Sequence, residues 1–445
     1  MTTPSLLDRD VLGRVLAAAA PRRIGRVSRL LGIQVDVVGL DVAIGDAISV
    51  EGPHGAVPCE VVAVHDHSAT CMPFGNLRGV RIGSAVVALG GAPTIFTGRA
   101  LLGRVLDGLG RPLDGRPLPA GLERVTVTGA APHPLRRRPV TEQLPLGVRV
   151  IDTLVPCGRG QRMGIFAGSG VGKSSLMSMM IRGTEADVSV LALVGERGRE
   201  VQEFIARDLG PEGLARSVVI VATSDEPPLV RLRAALTATR IAESFRSDGD
   251  DVLLLMDSLT RFAMAQREIG LSAGEPPATR GYPPSTFSML AQLLERAGSA
   301  ERGSITGLYT VLVDGDDMNE PIADAARSIL DGHVVLSRKL ATAGQFPTVD
   351  ALESISRVAP AITTAEQRGA ATELRRLMAA HRDARDLIEI GAYVHGTNPT
   401  VDRSVALEPA IKAFLTQDLH ESVPAERSWS ELHELVDHPS GGSGA

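Results

Sequence analysis

The segment FAGSGVGKSS, residues 166–175, constrains the fold of this chain more than any other feature. It follows a short apolar run, residues 160–166, that predicts a buried strand, and it precedes apolar residues at helical spacing up to Gly183. Its glycines can adopt backbone angles closed to other residues, so that successive N–H groups converge on one anion. A strand, a glycine-rich loop and a helix in this order predict a loop that binds the phosphates of a nucleotide.

Within this loop, Lys173 is expected to reach the β- and γ-phosphates and Ser174 to offer a hydroxyl to Mg²⁺. The general motif has glycine at position 167, where this chain has alanine, and a small residue there leaves room for the loop. The competing interpretation is a glycine-rich turn followed by a chance Lys-Ser pair, which the flanking strand and helix disfavour. The residues expected to line the nucleotide are Gly168, Ser169, Gly170, Val171, Gly172, Lys173, Ser174 and Ser175.

Two further apolar runs end in acidic residues that would complete such a site. DDVLLLMD ends at Asp257, and a carboxylate at the end of a neighbouring strand can orient a water on Mg²⁺. VLALVGERGRE has a strand at 190–194 followed by Glu196, Arg197 and Glu200. A carboxylate near the γ-phosphate can polarise the attacking water, and a guanidinium can neutralise charge on the transferred group. The alternative for this turn is a surface loop of mixed charge.

Composition excludes several other classes. The chain has 46 basic and 52 acidic residues, a net charge of −6, and only 3% aromatic residues. It therefore has neither a basic surplus for a nucleic acid backbone nor many rings on which bases could stack. No apolar run approaches the length of about 18 residues that spans a membrane, and the charged N-terminal segment predicts no signal peptide. The three cysteines are scattered and suit a reducing compartment, so we expect a cytoplasmic protein.

The chain is expected to fold as an α/β protein of several parts. Residues 1–20 predict an amphipathic helix, which either packs on its own domain or docks a partner. Residues 21–95 contain valine-rich runs broken by glycine and predict a small β-barrel. Residues 96–360 alternate strands and helices, as in a mostly parallel sheet. Residues 361–433 predict a C-terminal helical domain, and residues 434–445 a flexible tail.

These motifs together resemble the flagellar and type III secretion ATPases, relatives of the catalytic subunit of the rotary ATP synthases. The resemblance extends from about residue 20 to 420, and Ala167 is usual in that family. GDDMNEPIAD, within the fifth segment below, separates the export ATPases from the synthase subunits. The segments that carry the resemblance are LLGRVLDGLGRPLDG (101–115), GRGQRMGIFAGSGVGKSS (158–175), ALVGERGREVQEFI (192–205), PPATRGYPPSTFSMLAQLLERAG (276–298), DGDDMNEPIADAARSILDGHVVLSRKLA (314–341) and DLIEIGAYVHGTNPTVDRSVAL (386–407).

The resemblance implies a RecA-like nucleotide-binding domain that hydrolyses ATP with Mg²⁺ in a homo-hexameric ring. It assigns Lys173 and Ser174 to the phosphates and Mg²⁺, and it makes Glu196 the base and Arg197 a contact of the γ-phosphate. Glu200 and Asp257 would act through waters on Mg²⁺.

Three further residues receive roles from the resemblance alone. Arg261 would brace the site, and Phe346 would flank the adenine, although a lone phenylalanine is more often part of a core. Arg357 would be an arginine finger supplied by a neighbouring subunit.

The resemblance also implies partners and a location. A regulator would dock on the N-terminal helix, and the ring would release export substrates from their chaperones and unfold them. The protein would bind peripherally at the export gate, on the inner face of the cell membrane.

Three other functions fit the sequence less well. A ring that translocates RNA would need a basic barrel rich in aromatic residues, and the barrel region has Phe74 and Phe96 but neither Trp nor Tyr. An ATP synthase subunit conflicts with GDDMNEPIAD. A structural subunit without turnover tends to lose the loop lysine or the catalytic acid, and both are present. Between the two export systems, the segments at 72–87 and 391–407 favour the flagellum over an injectisome.

Overall fold

The computed structural model describes residues 23–313 and 318–437. The amphipathic helix expected at residues 1–20, part of GDDMNEPIAD and the last eight residues lie outside these ranges. The chain divides into two compact units, the first holding residues up to Pro93 and the second nearly all of the rest. The sequence predicts this boundary after residue 95. It lies two residues earlier because the strand Thr94–Thr97 pairs with Glu123–Thr126 in the second unit.

The first unit is a closed barrel of antiparallel strands, which confirms the predicted β-barrel. Its strands are β1 (Ile24–Leu31), β2 (Gln34–Val38), β3 (Ala47–Gly52), β4 (Gly55–Val64), β5 (Ser68–Pro73) and β6 (Ala85–Ala88). Around the barrel they follow the order β1, β2, β5, β4, β3, β6. Alternate side chains point inward, as Val35 and Val37 of β2 do, and they form the barrel core with Ile48, Val50 and Val61.

The second unit is built on a mostly parallel sheet, as predicted. Its strands are β7 (Thr94–Thr97), β8 (Arg104–Asp107), β9 (Glu123–Thr126), β10 (Arg162–Ala167), β11 (Val188–Glu196), β12 (Ser217–Thr223), β13 (Asp251–Asp257), β14 (Gly298–Ser299), β15 (Ser304–Leu312), β16 (Gly332–Val335) and β17 (Ile355–Ser356). The sheet order is β17, β16, β10, β15, β13, β11, β12, β8, with β14 on β15, and β7 and β9 form a separate two-stranded sheet. Phe96 therefore lies in β7 and outside the barrel with which the sequence groups it.

Helices connect the strands and cover the sheet. They are α1 (Arg149–Leu154), α2 (Lys173–Gly183), α3 (Gly198–Glu203), α4 (Gly210–Ala215), α5 (Pro228–Asp248), α6 (Leu259–Ser272), α7 (Pro284–Glu295), α8 (Pro321–Ile329), α9 (Arg338–Thr342), α10 (Ala359–Ile362), α11 (Ala365–Glu389), α12 (Pro399–Leu415) and α13 (Ala425–Asp437). The central strands are almost continuously apolar and buried because helices cover both faces of a parallel sheet. None of the described helices is both long and apolar enough to cross a membrane.

The C-terminal helices α11, α12 and α13 pack on one another and on α1, and among the described residues they share one hydrophobic core with the nucleotide-binding sheet. Leu374, Phe414 and Leu432 belong to the same hydrophobic cluster as Ile165 and Leu191 of the central strands. Helix α13 continues to Asp437, four residues beyond the point where the sequence predicts a flexible tail. The helix persists because Val436 is buried against that common core.

Candidate active site

The sheet topology brings the acidic strand ends next to the glycine loop. Strands β10, β15, β13 and β11 are consecutive neighbours and run parallel, so that their carboxyl ends meet at one edge. The glycine loop leaves β10 after Ala167 at this edge. Asp257 is the last residue of β13 and is level with Leu193 of β11, whose last residue is Glu196.

The glycine loop has the backbone geometry of an anion cradle. Gly170 and Gly172 have φ angles of 75° and 90°, in the left-handed region that favours glycine. Gly172 is also the N-cap of α2, and no side chain within residues 23–313 or 318–437 caps that end of the helix. The first N–H groups of α2 are therefore available to an anion, with the positive end of the helix dipole behind them. A Cβ on Gly170 would meet no atom within 4 Å, so the loop is open on that side.

The other residues of the glycine loop differ in their exposure to solvent. Gly168 and Val171 are buried, Ser169 and Ser174 are exposed, and Ser175 is half-buried in the first turn of α2. The exposed Ser174 hydroxyl stands at the start of the helix beside Lys173.

Lys173 connects the loop to both acidic strand ends. Its Nζ lies 2.5 Å from Asp257 Oδ1 and 3.6 Å from Glu196 Oε1. Burial by itself lowers the pKa of Lys173, but the charges and hydrogen bonds of the two carboxylates outweigh it, and the pKa is raised. The ammonium thus stays charged at the point where phosphates would enter.

The surroundings of Glu196 make its carboxylate more basic than an ordinary glutamate. Burial, then the neighbouring charge of Asp257, raises the pKa of Glu196, and Lys173 opposes that rise. Glu200 raises this pKa further, through a hydrogen bond to the Glu196 side chain. A carboxylate with a raised pKa is a better base than an ordinary surface glutamate.

Arg261, on α6, packs along the backbone that presents Glu196. Gly195 has a φ of 72° and forms a bulge in β11, and a Cβ there would stand 3.0 Å from the Cβ of Arg261. The Nε of Arg261 is buried and has no hydrogen-bond partner among the described residues. A buried donor without a partner is unusual in a folded protein, so the Nε of Arg261 has an unused capacity for a hydrogen bond.

Arg197 and Glu200 lie on the outer side of the site. They form an ion pair of 3.0 Å at the start of α3, and the Arg197 side chain is 81% exposed. The structure therefore pairs Arg197 with Glu200 and gives it no contact with Lys173 or Asp257 among the described residues. Among residues 196–200, only Glu196 lies within ion-pair distance of Lys173.

Phe346 lies against the loop from the other side. A Cβ on Gly172 would be 3.6 Å from the Phe346 ring, whose residue is 45% exposed. Two residues further on, the Thr348 hydroxyl donates a 2.6 Å hydrogen bond to the Val171 carbonyl. Phe346 is therefore held beside the phosphate loop and is only partly packed in the core, which suits a ring that flanks a base.

Two threonines that hold this site together are not among the residues expected from the sequence. Thr310 donates a 2.6 Å hydrogen bond to Asp257 Oδ1, and Thr348 anchors the loop as just described. The available signal for Thr310 was a polar side chain within the apolar run of β15. For Thr348, nothing in the local sequence indicates a partner 177 residues away.

Arg357 is the one expected site residue that lies at the amino ends of the parallel strands, opposite the ends that carry the site. It follows β17, which runs antiparallel to β16, and its backbone N–H bonds Asp331 at the amino end of β16. Asp331 is level with Arg162, the first residue of β10. About 16 Å of strand separates that level from the glycine loop. Arg357 is exposed, and its own chain's site is out of its reach.

Comparison with known protein families finds three matches along the chain. The nucleotide-binding domain of the ATP synthase alpha/beta family matches residues 147–356, and the β-barrel domain of the same family matches residues 27–90. The C-terminal domain of the type III secretion ATPase EscN matches residues 363–434.

Curated proteins and solved structures agree with these matches over nearly the full length. The chain is 51% identical to the flagellum-specific ATP synthase of Bacillus subtilis, covering 98% of this chain and 99% of the other. It is 46% identical to the type 3 secretion system ATPase of Xanthomonas euvesicatoria, covering 97% and 98%. The assembled ATPase EscN of enteropathogenic E. coli superimposes with a TM-score of 0.89 at 43% identity, covering 93% and 100%. The complex of EscN with its central stalk EscO gives 0.86 at 42% identity, with the same coverage.

Proposed function

Because the chain belongs to the ATP synthase alpha/beta family, within its flagellar and type III secretion ATPases, we propose that the site around Lys173 hydrolyses ATP to drive protein export by a flagellar apparatus. The protein is an ATP-hydrolysing enzyme of this family. The observation that supports the site assignment is the Lys173 ammonium at the mouth of the glycine loop, bonded to Asp257 and 3.6 Å from Glu196.

The chemistry follows from this arrangement. The N–H groups of the loop and the Lys173 ammonium bind the β- and γ-phosphates, which replace the carboxylates as the main partners of the lysine. Glu196 then accepts a proton from water as the water oxygen attacks the γ-phosphorus and the bond to the β–γ bridging oxygen breaks. The products are ADP and phosphate, and the loop N–H groups retain the ADP until it is released.

The side chains at the carboxyl ends of the strands also provide suitable ligands for Mg²⁺. The Asp257 carboxylate and the exposed Ser174 hydroxyl are the oxygen ligands that this cation prefers, and Glu200 stands behind Glu196 for a water-mediated contact. Once bound, Mg²⁺ would neutralise charge on the β- and γ-phosphates. Phe346 would flank the adenine.

The position of Arg357 supports a ring in which two subunits share each site. Its side chain donates only to the Arg327 carbonyl, at 3.3 Å, among the described contacts, and it is exposed at the edge away from its own loop. A neighbouring subunit in a homo-hexamer would bring its Arg357 to this chain's γ-phosphate. EscN was solved in an assembled state, in keeping with such a ring.

The cellular role is proposed from the relatives. The flagellum-specific ATP synthases of Bacillus subtilis and Treponema pallidum are 51% and 50% identical to the chain, and the type 3 secretion system ATPase of Xanthomonas euvesicatoria 46%. We favour the flagellar system, with the injectisome as the alternative. The ring would act at the inner face of the cell membrane, release export substrates from chaperones, and bind a regulator through residues 1–20.

An exchange of the chromosomal gene for the Lys173→Ala variant tests this role. If the protein drives flagellar export, the variant cells should no longer secrete filament and hook proteins into the medium. The variant protein itself should accumulate in these cells to the wild-type level. Normal flagella together with lost secretion of effector proteins would favour the injectisome instead. ATPase activity of the purified protein that depends on RNA would contradict both.

A further inference from the structure

Two donors share one oxygen of the Asp257 carboxylate. The Thr310 hydroxyl lies 2.6 Å and the Lys173 ammonium 2.5 Å from Oδ1. Thr310 is completely buried on β15, the strand between the loop strand β10 and the Asp257 strand β13. The residue before it, Tyr309, is level with Met256, so the pairing of the strands sets Thr310 directly beside Asp257.

In the hydrogen bond between Thr310 and Asp257, the threonine hydroxyl must be the donor. A carboxylate can only accept, so the hydroxyl proton points to Asp257 Oδ1. The other acceptor within reach, the Met256 carbonyl, is 3.5 Å away and is too distant to compete for the single proton. Among the described contacts, both hydrogen bonds to this carboxylate fall on Oδ1 and none falls on Oδ2.

The two donors differ in what a nucleotide would do to them. When ATP binds, the Lys173 ammonium would exchange Asp257 for the phosphates as its partner. Thr310 is buried within a strand, so its hydroxyl would keep its bond to Asp257. The Thr310 hydroxyl would then be the contact that keeps the Asp257 carboxylate in its orientation.

We propose that Thr310 is a positioning residue, which holds Asp257 Oδ1 so that Oδ2 faces the Mg²⁺ that accompanies ATP. The proposal rests on the assignment of Asp257 to that metal under the proposed function. Outer-shell groups that orient a metal-binding carboxylate typically contribute about 10- to 100-fold to metal affinity. If Thr310 had only a structural role, its substitution would lower the stability of the fold and would not change how strongly nucleotide binding depends on Mg²⁺.

The test measures the factor by which Mg²⁺ tightens the binding of a fluorescent, non-hydrolysable ATP analogue, comparing Mg²⁺ with EDTA. For Thr310→Val, which keeps the shape of the side chain and removes the hydroxyl, we expect this factor to fall about tenfold. Binding in EDTA should stay near wild type. Thr310→Ser restores the donor and should restore most of the factor. Steady-state ATPase assays should show a matching rise in the Mg²⁺ concentration needed for half-maximal rate.

Thr306→Val is the matched control, because Thr306 is a second buried threonine of β15. Its hydroxyl accepts the Gly160 N–H at 2.8 Å, at the far end of the strand. The control should lower the melting temperature and leave the Mg²⁺ factor unchanged. If Thr310→Val does not fold, Thr310→Cys provides a weak donor of similar size, and its Mg²⁺ factor should also be reduced.

A wild-type Mg²⁺ factor in Thr310→Val or Thr310→Cys would overturn the proposal and make the residue structural. Asp257→Asn separates this failure from that of the proposed function. If Asp257→Asn loses the Mg²⁺ factor while the Thr310 variants keep it, only the role of Thr310 is wrong. If Asp257→Asn also keeps it, Asp257 does not serve the metal, and the site assignment itself is wrong.

Discussion

The Thr348 hydroxyl donates a 2.6 Å hydrogen bond to the carbonyl of Val171, in the glycine loop. This bond ties the segment that carries Phe346 to the loop that would hold the phosphates. A second hydrogen bond, of 2.9 Å, runs from the Gln417 N–H to the Phe346 carbonyl and ties the same segment to the residues that follow α12. These two bonds hold the segment that carries the aromatic ring beside the glycine loop.

Phe346→Ala should weaken ATP binding and leave the chemical step largely intact. Stacking of a base on an aromatic ring is worth about 1–3 kcal/mol, so we expect KM for ATP to rise roughly tenfold with kcat changed little. Phe346→Tyr keeps the ring and should keep KM. Phe96→Ala removes another exposed ring and is the control. A KM unchanged by Phe346→Ala would show that the base lies elsewhere.

Lys173→Ala should abolish hydrolysis while the protein remains folded. The substitution removes the only cation between Glu196 and Asp257 among the described residues, and removing one such electrostatic contact typically costs about 10²- to 10³-fold in rate. Steady-state ATPase assays and circular dichroism measure the two expectations. Lys412→Ala removes an exposed lysine far along the chain and should leave the rate unchanged. Turnover near wild type in Lys173→Ala would refute the assignment of the loop.

Glu196→Gln separates binding from chemistry. The amide keeps the shape of the side chain but cannot accept a proton, so the rate should fall by about 10²- to 10⁴-fold while ATP still binds with Mg²⁺. Because the pKa of Glu196 is raised, the acid limb of kcat/KM in the wild type should lie above the ordinary glutamate pKa of 4.5. Glu203→Gln changes an exposed carboxylate nearby and is the control. Normal hydrolysis by Glu196→Gln would direct the search to another carboxylate.

Asp152 gives the fold a dependence on pH. It is fully buried in α1, accepts the Leu146 N–H at 2.8 Å, and has one oxygen, Oδ2, without a hydrogen-bond partner among the described residues. Burial raises the pKa of Asp152 to about 7, backbone N–H groups oppose that rise, and the charge of Glu185 adds to it. The folded protein therefore binds this proton more tightly than the unfolded chain does, so the stability that it contributes is present below about pH 4 and is lost as the pH rises to 7.

Asp152→Asn should raise the melting temperature at pH 8 and raise it much less at pH 5. The asparagine carries no charge to bury at the higher pH and can still accept the Leu146 N–H. Thermal unfolding followed by circular dichroism at the two pH values measures the difference, and Asp418→Asn, at an exposed carboxylate, is the control. An equal shift at both pH values would contradict the raised pKa.

The glycine loop and the acidic strand ends could be predicted from the sequence because their chemistry is local. The glycines of residues 168–172 and the apolar runs before Asp257 and Glu196 indicate backbone conformation and strand ends directly. The order of the strands in the sheet then decides that these ends meet.

Contacts between distant segments could not be predicted in this way. Leu374 and Leu432 are buried in the same hydrophobic cluster as the central strands, so the C-terminal helices belong to the nucleotide-binding core, although the sequence of residues 361–433 indicates only a helical domain. The partners of Thr310 and Thr348 depend on strand order and on a loop far along the chain. The edge at which Arg357 lies depends on the antiparallel direction of the two-residue strand β17, which has no sequence signal of its own.

Under the proposed function, each site needs the loop of one subunit and Arg357 of its neighbour. Phosphoryl transfer spreads charge over the γ-phosphate oxygens, and one guanidinium supplied there is worth about 10³- to 10⁵-fold in rate. Arg357→Ala should therefore bind ATP yet hardly hydrolyse it, and Arg357→Lys should recover little because an ammonium lacks the planar fork. Wild-type activity should rise steeply with protein concentration as rings assemble.

The most direct measurement uses rings that contain both Lys173→Ala and Arg357→Ala subunits. The amount of Mg²⁺–ADP trapped with aluminium fluoride, a mimic of the transferred phosphoryl group, reports each site separately and does not require the whole ring to turn over. Each variant alone should trap almost none. Mixed rings contain borders that pair an intact loop with an intact Arg357, so trapping should return in proportion to those borders. No trapping above the parent variants, in rings shown by cross-linking to contain both subunits, would contradict a site shared between subunits.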